Sequence, residues 1–444
     1  MIHRTLSTFT FLFVTSSLLA LPPENTLKQC IRLAQERNIT AKITCTAEEE
    51  AKLKISQAGN AFIPSLTTSA QNNLSIGRVL DPTTYQFVTN RTVYDMNAVI
   101  GGSMTLFSGF ERIRNIQKAK NNLQSAFWET EKTKNDVVLN VTALFLNIVL
   151  DKEAIAVCER KISMLKEQED VIRKKLEYKV AIPGDLLNIQ ADVTSAEVDL
   201  ATAKNNLNLD KVSMCELLKI DDWEHFDISL SDEDYKTVEP RLWNISDVVS
   251  SAFHLPQILQ KELAIDIAKK DVGIAKSTFW PTISLNAGYG STFSNARTRT
   301  SGGEYSFRDQ FRDNMSSYVT LSLNIPILGA ITTSNNVKQK KLACTRAEYE
   351  LVQTKLALDK DVKQAIVNAN TSYEKYKLLA TEVEKCQEAL RQTSKKYDAG
   401  AATYYDYQIA VGNLFQAEAK QLQCKYEYIF RTKIIDFYAG EPLY

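Results

Sequence analysis

GGSMTLFSGFERIRNIQKAK, residues 101–120, changes its period halfway along. Up to Phe107 the apolar residues alternate. Ile100, Met104 and Leu106 fall on one side, Ser103 and Thr105 on the other. A period of two is the signature of a strand with unlike faces. After Gly109 the apolar positions are Ile113, Ile116 and Leu123, at the three-and-four spacing of a helix. A strand therefore runs into a helix with almost no loop. That junction suits a wall that changes from sheet to helix better than it suits a compact globular domain.

The rest of the chain narrows the kinds of wall. It has 444 residues, 24% of them charged, and its 53 basic side chains balance 53 acidic ones. No basic block stands out, so no nucleic-acid partner is expected. Residues 1–20 read as a secretory signal: a basic start at Met1-Ile2-His3-Arg4, an apolar run from Thr8 to Leu19, and a small Ala20. No cysteine follows that cut, so a lipid anchor there is not expected. Beyond Ala20 no run of 18 apolar residues occurs. The mature chain is expected either to stay soluble outside the cytoplasm or to cross a membrane as β-strands.

Chemistry has little to draw on. The seven cysteines (Cys30, Cys45, Cys158, Cys215, Cys344, Cys386, Cys424) are odd in number, widely spaced and without a CxxC. Neither a disulfide framework nor a zinc site is expected. Past the signal only His225 and His254 remain. There is no phosphate loop and no nucleophile elbow. The sequence therefore predicts no enzyme, no metal and no cofactor.

Two halves share one order of motifs. Lys174 in KKLEYKVAIPGD and Lys395 in KKYDAGAATYYD stand 221 positions apart, as do Asn115 and Asn336, and Asp185 and Asp406. Pro64 and Pro281, each opening an alternating run, stand 217 apart. The order predicts an internal duplication. Strands are expected at about 64–77, 93–107, 281–295 and 314–328, each with one apolar and one hydrophilic face. A sheet with one wet side fits this pattern, and so does a membrane barrel. Helices are expected at 25–60, 110–176, 184–216, 247–278, 331–397 and 403–436. Residues 110–176 hold neither proline nor glycine, and their apolar positions follow a coiled-coil seam. At 67 residues such a helix is about 100 Å long. The two shorter helices of each half, laid end to end, match one long rod. Four strands cannot close a transmembrane barrel, and open edges are not tolerated in lipid, so the chain is expected to oligomerise.

The duplicated strand–helix order, the KKYDAG…D turn and the LFSG and PILG junctions resemble the TolC family of outer-membrane efflux proteins. The resemblance covers essentially the whole mature chain. It implies an α+β membrane protein in which each chain lends four strands to a trimeric 12-stranded β-barrel. The barrel continues into a long α-helical barrel with a small mixed equatorial region. On that plan 21–220 is the first repeat, 217–246 an equatorial segment, 247–436 the second repeat and 437–444 a C-terminal equatorial segment. The implied function is the exit duct of a tripartite efflux or type I secretion system in the outer membrane of a Gram-negative bacterium. Its implied partners are two further copies, outer-membrane lipid, a periplasmic adaptor (membrane fusion) protein and an inner-membrane pump of RND or ABC type. A non-conducting periplasmic coiled-coil scaffold or tether is the alternative.

Family members have a nearly closed periplasmic tip, held by hydrogen bonds and salt bridges and ringed by acids of the second repeat. The matching segment is Tyr397 to Asp406. Asp406 is the expected ring carboxylate, with Tyr404 and Tyr405 as a candidate aromatic constriction. One turn on, where members can carry a second acid, this chain has Ile409. Asp406 also reads simply as a helix-start acid. The tip turns expected to meet an adaptor hold Val180, Pro183, Gly184, Asp185, Gly400 and Thr403. Gly109 and Gly329 mark the strand–helix junctions.

Overall fold

A computed structural model of the chain describes residues 25–80, 85–179, 182–229, 238–297, 303, 305–327 and 330–441. The expected signal at 1–20 lies outside them. The described elements are α1 (Leu27–Arg37), α2 (Ile39–Asn60), β1 (Ser65–Leu80), β2 (Phe87–Ser108), α3 (Glu111–Glu177), α4 (Pro183–Leu218), α5 (Ile245–Ala252), α6 (Pro256–Ser277), β3 (Thr282–Ser294), α7 (Phe307–Asp313), β4 (Ser316–Asn324), α8 (Ala330–Asp398) and α9 (Tyr404–Ala439).

The strands form one antiparallel sheet in the order β1-β2-β3-β4. The helices lie beside one another in the same order. Near the sheet α2 packs on α3, α3 on α6 and α6 on α8; farther away α4 packs on α3, α3 on α9 and α9 on α8. α3 and α8, of 67 and 69 residues, run the whole height. α1 joins the end of α4 to α2, and α5 packs on α8 and α9 below α6. The shared order follows from connectivity: α2 and α6 lead into β1 and β3, while β2 and β4 lead into α3 and α8.

Two helices expected to be continuous are broken. The stretch 25–60 divides at Asn38, whose extended backbone ends α1 and starts α2. Its side chain accepts from the amides of Thr40 (2.9 Å) and Ala41 (3.2 Å) and donates to Leu217 O (3.4 Å). Those bonds satisfy amides that a helix start leaves free. The stretch 247–278 divides at Phe253–Leu255, because Pro256 lacks an amide hydrogen and opens α6 as its first residue. The strands differ too. β2 begins at Phe87 rather than 93, and β4 spans 316–324 rather than 314–328. Ile325 and Pro326 follow directly, and proline cannot donate to a ladder.

The register puts the apolar residues on one face. Leu66, Ala70 and Leu74 lie opposite Gly102, Ala98 and Tyr94, and Ile283, Leu285 and Ala287 lie opposite Leu323, Leu321 and Val319. A bulge between Thr105 and Phe107 brings Phe107, not Leu106, opposite Ile283. This face is uncovered: Leu66 is 77% exposed and Val319 74%. On the opposite face Gly288 pairs with Tyr318, whose ring occupies the place of a side chain there; a Cβ would meet it at 2.5 Å. At the β2–α3 junction Gly109 takes φ +60°, and a Cβ would meet Ser277 O at 2.6 Å and Trp280 Cβ at 2.8 Å. Only glycine fits that approach. Arg114 donates to Gly109 O (2.9 Å) and Arg112 to Thr105 O (2.7 Å), bracing the turn from within the helix.

The helix layer is thickest at the level of α1 and α5. Ile31, Val141, Phe145, Ile148, Met214 and Leu218 bury together where α1, α3 and α4 meet. Val248, Ile258, Val362, Ile366 and Ile435 do the same for α5, α6, α8 and α9. Between these cores, Arg241 binds the buried Asp436 carboxylate (3.0 Å), and Tyr428 donates to Glu239 O (2.8 Å). Those bonds fasten residues 239–241 to α9.

Candidate functional site

The two helical turns farthest from the sheet are α3–α4 and α8–α9. Capping bonds close the end of α8 and the start of α9, while α4 opens on a proline without a side-chain cap. Pro183 opens α4 at its first position, with Gly184 and Asp185 in the first turn and the Asp185 amide donating to Ile182 O (3.0 Å). Gly400 takes φ +71° after α8, and the amide of Ala401 reaches back to Lys396 O (2.8 Å). Thr403 caps α9. Val180 and Gly329 lie outside the described residues, so nothing structural is stated for either.

Asp406 is the reciprocal partner of Thr403. The Thr403 hydroxyl accepts from the Asp406 amide (3.2 Å), while Asp406 Oδ2 accepts from the Thr403 amide (2.9 Å) and hydroxyl (2.7 Å). This is a capping box. The Thr403 hydroxyl, then its amide, hold the Asp406 carboxyl below the usual carboxylate range. The side chain remains exposed, so the cap leaves an anion at the surface beside Ile409, which lines the same shallow groove.

The two tyrosines part company. Tyr405 is 68% exposed, whereas Tyr404 is 4% exposed and packs inside the protomer. Neighbouring helix positions point about 100° apart, so the pair does not form one aromatic constriction. Tyr404 joins Tyr397 and Tyr407 in a ring cluster, with centroids 5.8–6.3 Å apart, over Ile172, Ile189 and Val193. Burial pushes the Tyr407 hydroxyl up to about 12 and raises that of Tyr404 as well. Tyr404 is therefore a neutral donor. It donates to Asp192 Oδ2 at 2.6 Å, and Gln408 Nε2 donates to Asp192 Oδ1 at 2.6 Å. One carboxylate of α4 thus holds two successive turns of α9 through short, charge-assisted bonds. On the adjoining side Lys175 of α3 lies 3.4 Å from Asp398 and 4.6 Å from the Tyr397 ring centroid, tying the ends of α3 and α8.

The contacts that Asp192, Gln408 and Lys175 make with this cluster were not legible in the sequence. The available signal was that Tyr404, Tyr407, Val411 and Leu414 continue a three-and-four seam, which places Tyr404 inward. Among the described residues no group of three or more His, Cys, Asp or Glu could hold a metal ion, and no helix is long and apolar enough to cross a membrane.

Comparison with known proteins adds the context. A family model described as outer membrane efflux protein matches residues 252–433. Outer membrane protein TolC of Escherichia coli (strain K12) is 21% identical over 411 residues, covering 91% of this chain and 80% of TolC. TolC of Vibrio cholerae is 20% identical over 325 residues, 71% of this chain and 70% of its own. Among solved structures, CusC superposes with a TM-score of 0.79 at 16% identity, covering 94% of this chain and 93% of CusC. The outer membrane protein VceC of Vibrio cholerae superposes at 0.77 and 14%, covering 94% and 97%. These likenesses run through strands and rods alike, over nearly the whole described chain. The chain is therefore similar to the TolC-like outer-membrane efflux proteins, through the family model in its second half and through the TolC relatives over most of its length.

Proposed function

We propose that the chain is one third of a passive trimeric duct, crossing the outer membrane as a 12-stranded barrel and the periplasm as a helical barrel. In this reading it is the exit of a tripartite efflux or type I secretion assembly, reached through an adaptor from an inner-membrane pump. The observation that carries the reading is the common order of strands and rods, with an uncovered apolar sheet face. β1 and β4 each leave one edge unpaired within the chain, and such edges invite further strands. The two outermost rods carry matching apolar surfaces. Leu53, Val198 and Leu209 are exposed on α2 and α4, and Leu342, Tyr349, Leu356 and Leu378 on α8. A head-to-tail contact between unlike surfaces closes into a ring. An apolar face of this extent is costly in water and favourable in lipid. The 36-residue lengths of both α4 and α9, and the 22-residue lengths of both α2 and α6, support the duplication.

At the tip, three copies of Asp406 would ring one axis and favour cations. Asp192 serves as a latch whose release lets α9 swing from α4. The turns holding Pro183, Gly184, Asp185, Gly400 and Thr403 are the surface offered to the adaptor. The test is single-channel recording in planar bilayers. Asp192→Asn weakens both latch bonds and is expected to raise the open fraction about fivefold or more, the effect of weakening a partly buried hydrogen bond to a charged group. Asp406→Ala is expected to shift the reversal potential in a salt gradient toward lower cation preference. A detergent-extracted particle of trimer mass that conducts no ions would replace the duct with the scaffold alternative.

A further inference from the structure

We infer that α7 is an interfacial foot, resting at the outer lipid–water boundary with its aromatic side in lipid; this rests on the apolar sheet face being the lipid-facing one. Alternation and register place Ile283, Leu285, Ala287, Tyr289, Ser291 and Phe293 of β3 on that face. α7 and its flanks touch β3 side chains of this set. The Phe307 ring lies 5.1 Å from that of Phe293, Ser291 Oγ donates to Phe311 O, and Tyr289 donates to Met315 Sδ at 2.9 Å. α7 therefore leans over the outside of the sheet.

It is held there firmly. β4 begins at Ser316, opposite Gly290, so beyond Gly290 β3 is paired with β2 on one side and has no strand on its β4 side. Side chains of the α7 segment take that place. The buried Gln310 amide donates to Ser294 O (2.9 Å) and accepts from Ser294 N (3.1 Å), and Asn314 donates to Thr292 O (2.6 Å). The helix is also two-sided. Phe307 and Phe311, one turn apart, stack at 5.5 Å, while Arg308, Asp309, Arg312 and Asp313 occupy the intervening positions. Although the segment is clamped, Phe307 remains 48% exposed and Met315 45%.

The height agrees with a membrane boundary. From Ile283 to Phe293 the strand rises about 33 Å, or about 25 Å along the normal at the usual barrel tilt, the height of an outer-membrane apolar band. At the lower end of the band Phe110, Phe279 and Trp280 are exposed around the strand–helix junctions. Aromatic side chains thus frame both ends, as expected where apolar rings meet headgroups. The exposed Phe307 continues the lipid face of the sheet upward, and lipid is the occupant that this continuity selects.

The test uses the full-length protein in vesicles of phosphatidylcholine brominated either near the headgroup or near the acyl terminus, in a Trp280→Phe background. Phe307→Trp is expected to emit at short wavelength and to lose roughly half its added emission to the shallow bromine and less to the deep one, as for an interfacial indole. Val319→Trp, at mid-band, is the control and should be quenched more by the deep bromine. Failure of the control would sink the lipid-facing sheet itself. With the control intact, long-wavelength emission from Phe307→Trp would place α7 in water. Short-wavelength emission without quenching would place it under protein from a neighbouring copy. Either result overturns the foot.

Discussion

The two halves of the molecule follow a similar order of elements, with rod ends 221 residues apart, but fill it with different chemistry. Lys179 and Gly400 end α3 and α8 at φ +58° and +71°, and Lys219 and Gly440 end α4 and α9 at +55° and +82°. A left-handed cap is natural for glycine and strained for lysine. The first half retains the turn and carries the strain. Val141 and Val362 are equally buried in the cores of the two long rods. Nearby the match ends, because the neutral Ser372 stands where the first half has Asp151. The hairpins differ most: strands of 16 and 22 residues in the first half, and of 13 and 9, bridged by α7, in the second. Positions that set the path of the rods are kept, while helix ends and outer loops diverge.

Proline in a rod core tests the shared part with the largest effect. Val141→Pro is expected to cost at least about 3 kcal/mol through a lost helix bond and a ring clash. Loss of folded, extractable protein is the expected readout, and Val362→Pro should match it. A well-folded variant at one site only would mean that the rods are not equivalent supports.

The acid at 151 sharpens the contrast. One Asp151 oxygen is buried without a hydrogen-bond partner among the described residues, and burial, then the nearby Asp210 carboxylate, push its carboxyl up to about 6. The folded chain therefore holds this proton more tightly than the unfolded chain, where an aspartate titrates near ~3.9. Its contribution is fully favourable below that value and is lost as pH rises toward 6. Melting temperature should fall between about pH 4 and 6, and Asp151→Ser should flatten that step and raise stability at pH 7.5. An unaltered pH profile would remove Asp151 as its cause.

The smallest expected effect is at the caps. Lys219→Gly should stabilise the fold by up to about 1 kcal/mol by relieving a left-handed lysine, less the entropy that glycine adds to the unfolded chain. A denaturant midpoint that moves down would show that the Lys219 side chain contributes more than its backbone costs.

Much of this was legible beforehand, because periods of two and of three-and-four report directly which face is apolar. The rods, the four strands and the sheet-to-helix junction came from those periods. What escaped depends on single residues whose role is tertiary. Asn38 breaks a helix that propensity would have continued, because Leu217 and two amides bind its side chain. The bulge that replaces Leu106 by Phe107 leaves no mark in the alternation. Tyr404 and Tyr405 read as a pair because they are adjacent, yet a helix turns adjacent residues apart. α7 is short, and its meaning lies in Gln310 and Asn314 completing a strand edge that only the fold reveals.

The unequal hairpins have one more consequence. Beyond Asp95, which pairs with Ser294, β1 and β2 continue as a two-stranded ribbon from Leu74 and Tyr94 to Leu80 and Phe87. Six paired positions, spread over seven residues of β1, make it about 20 Å long at strand rise. In the proposed trimer the outer rim is then crenellated, with three tall merlons and three low embrasures floored by α7. In that reading the ribbons stand beyond the level of α7, so a change in their length would leave the rods that set the bore untouched.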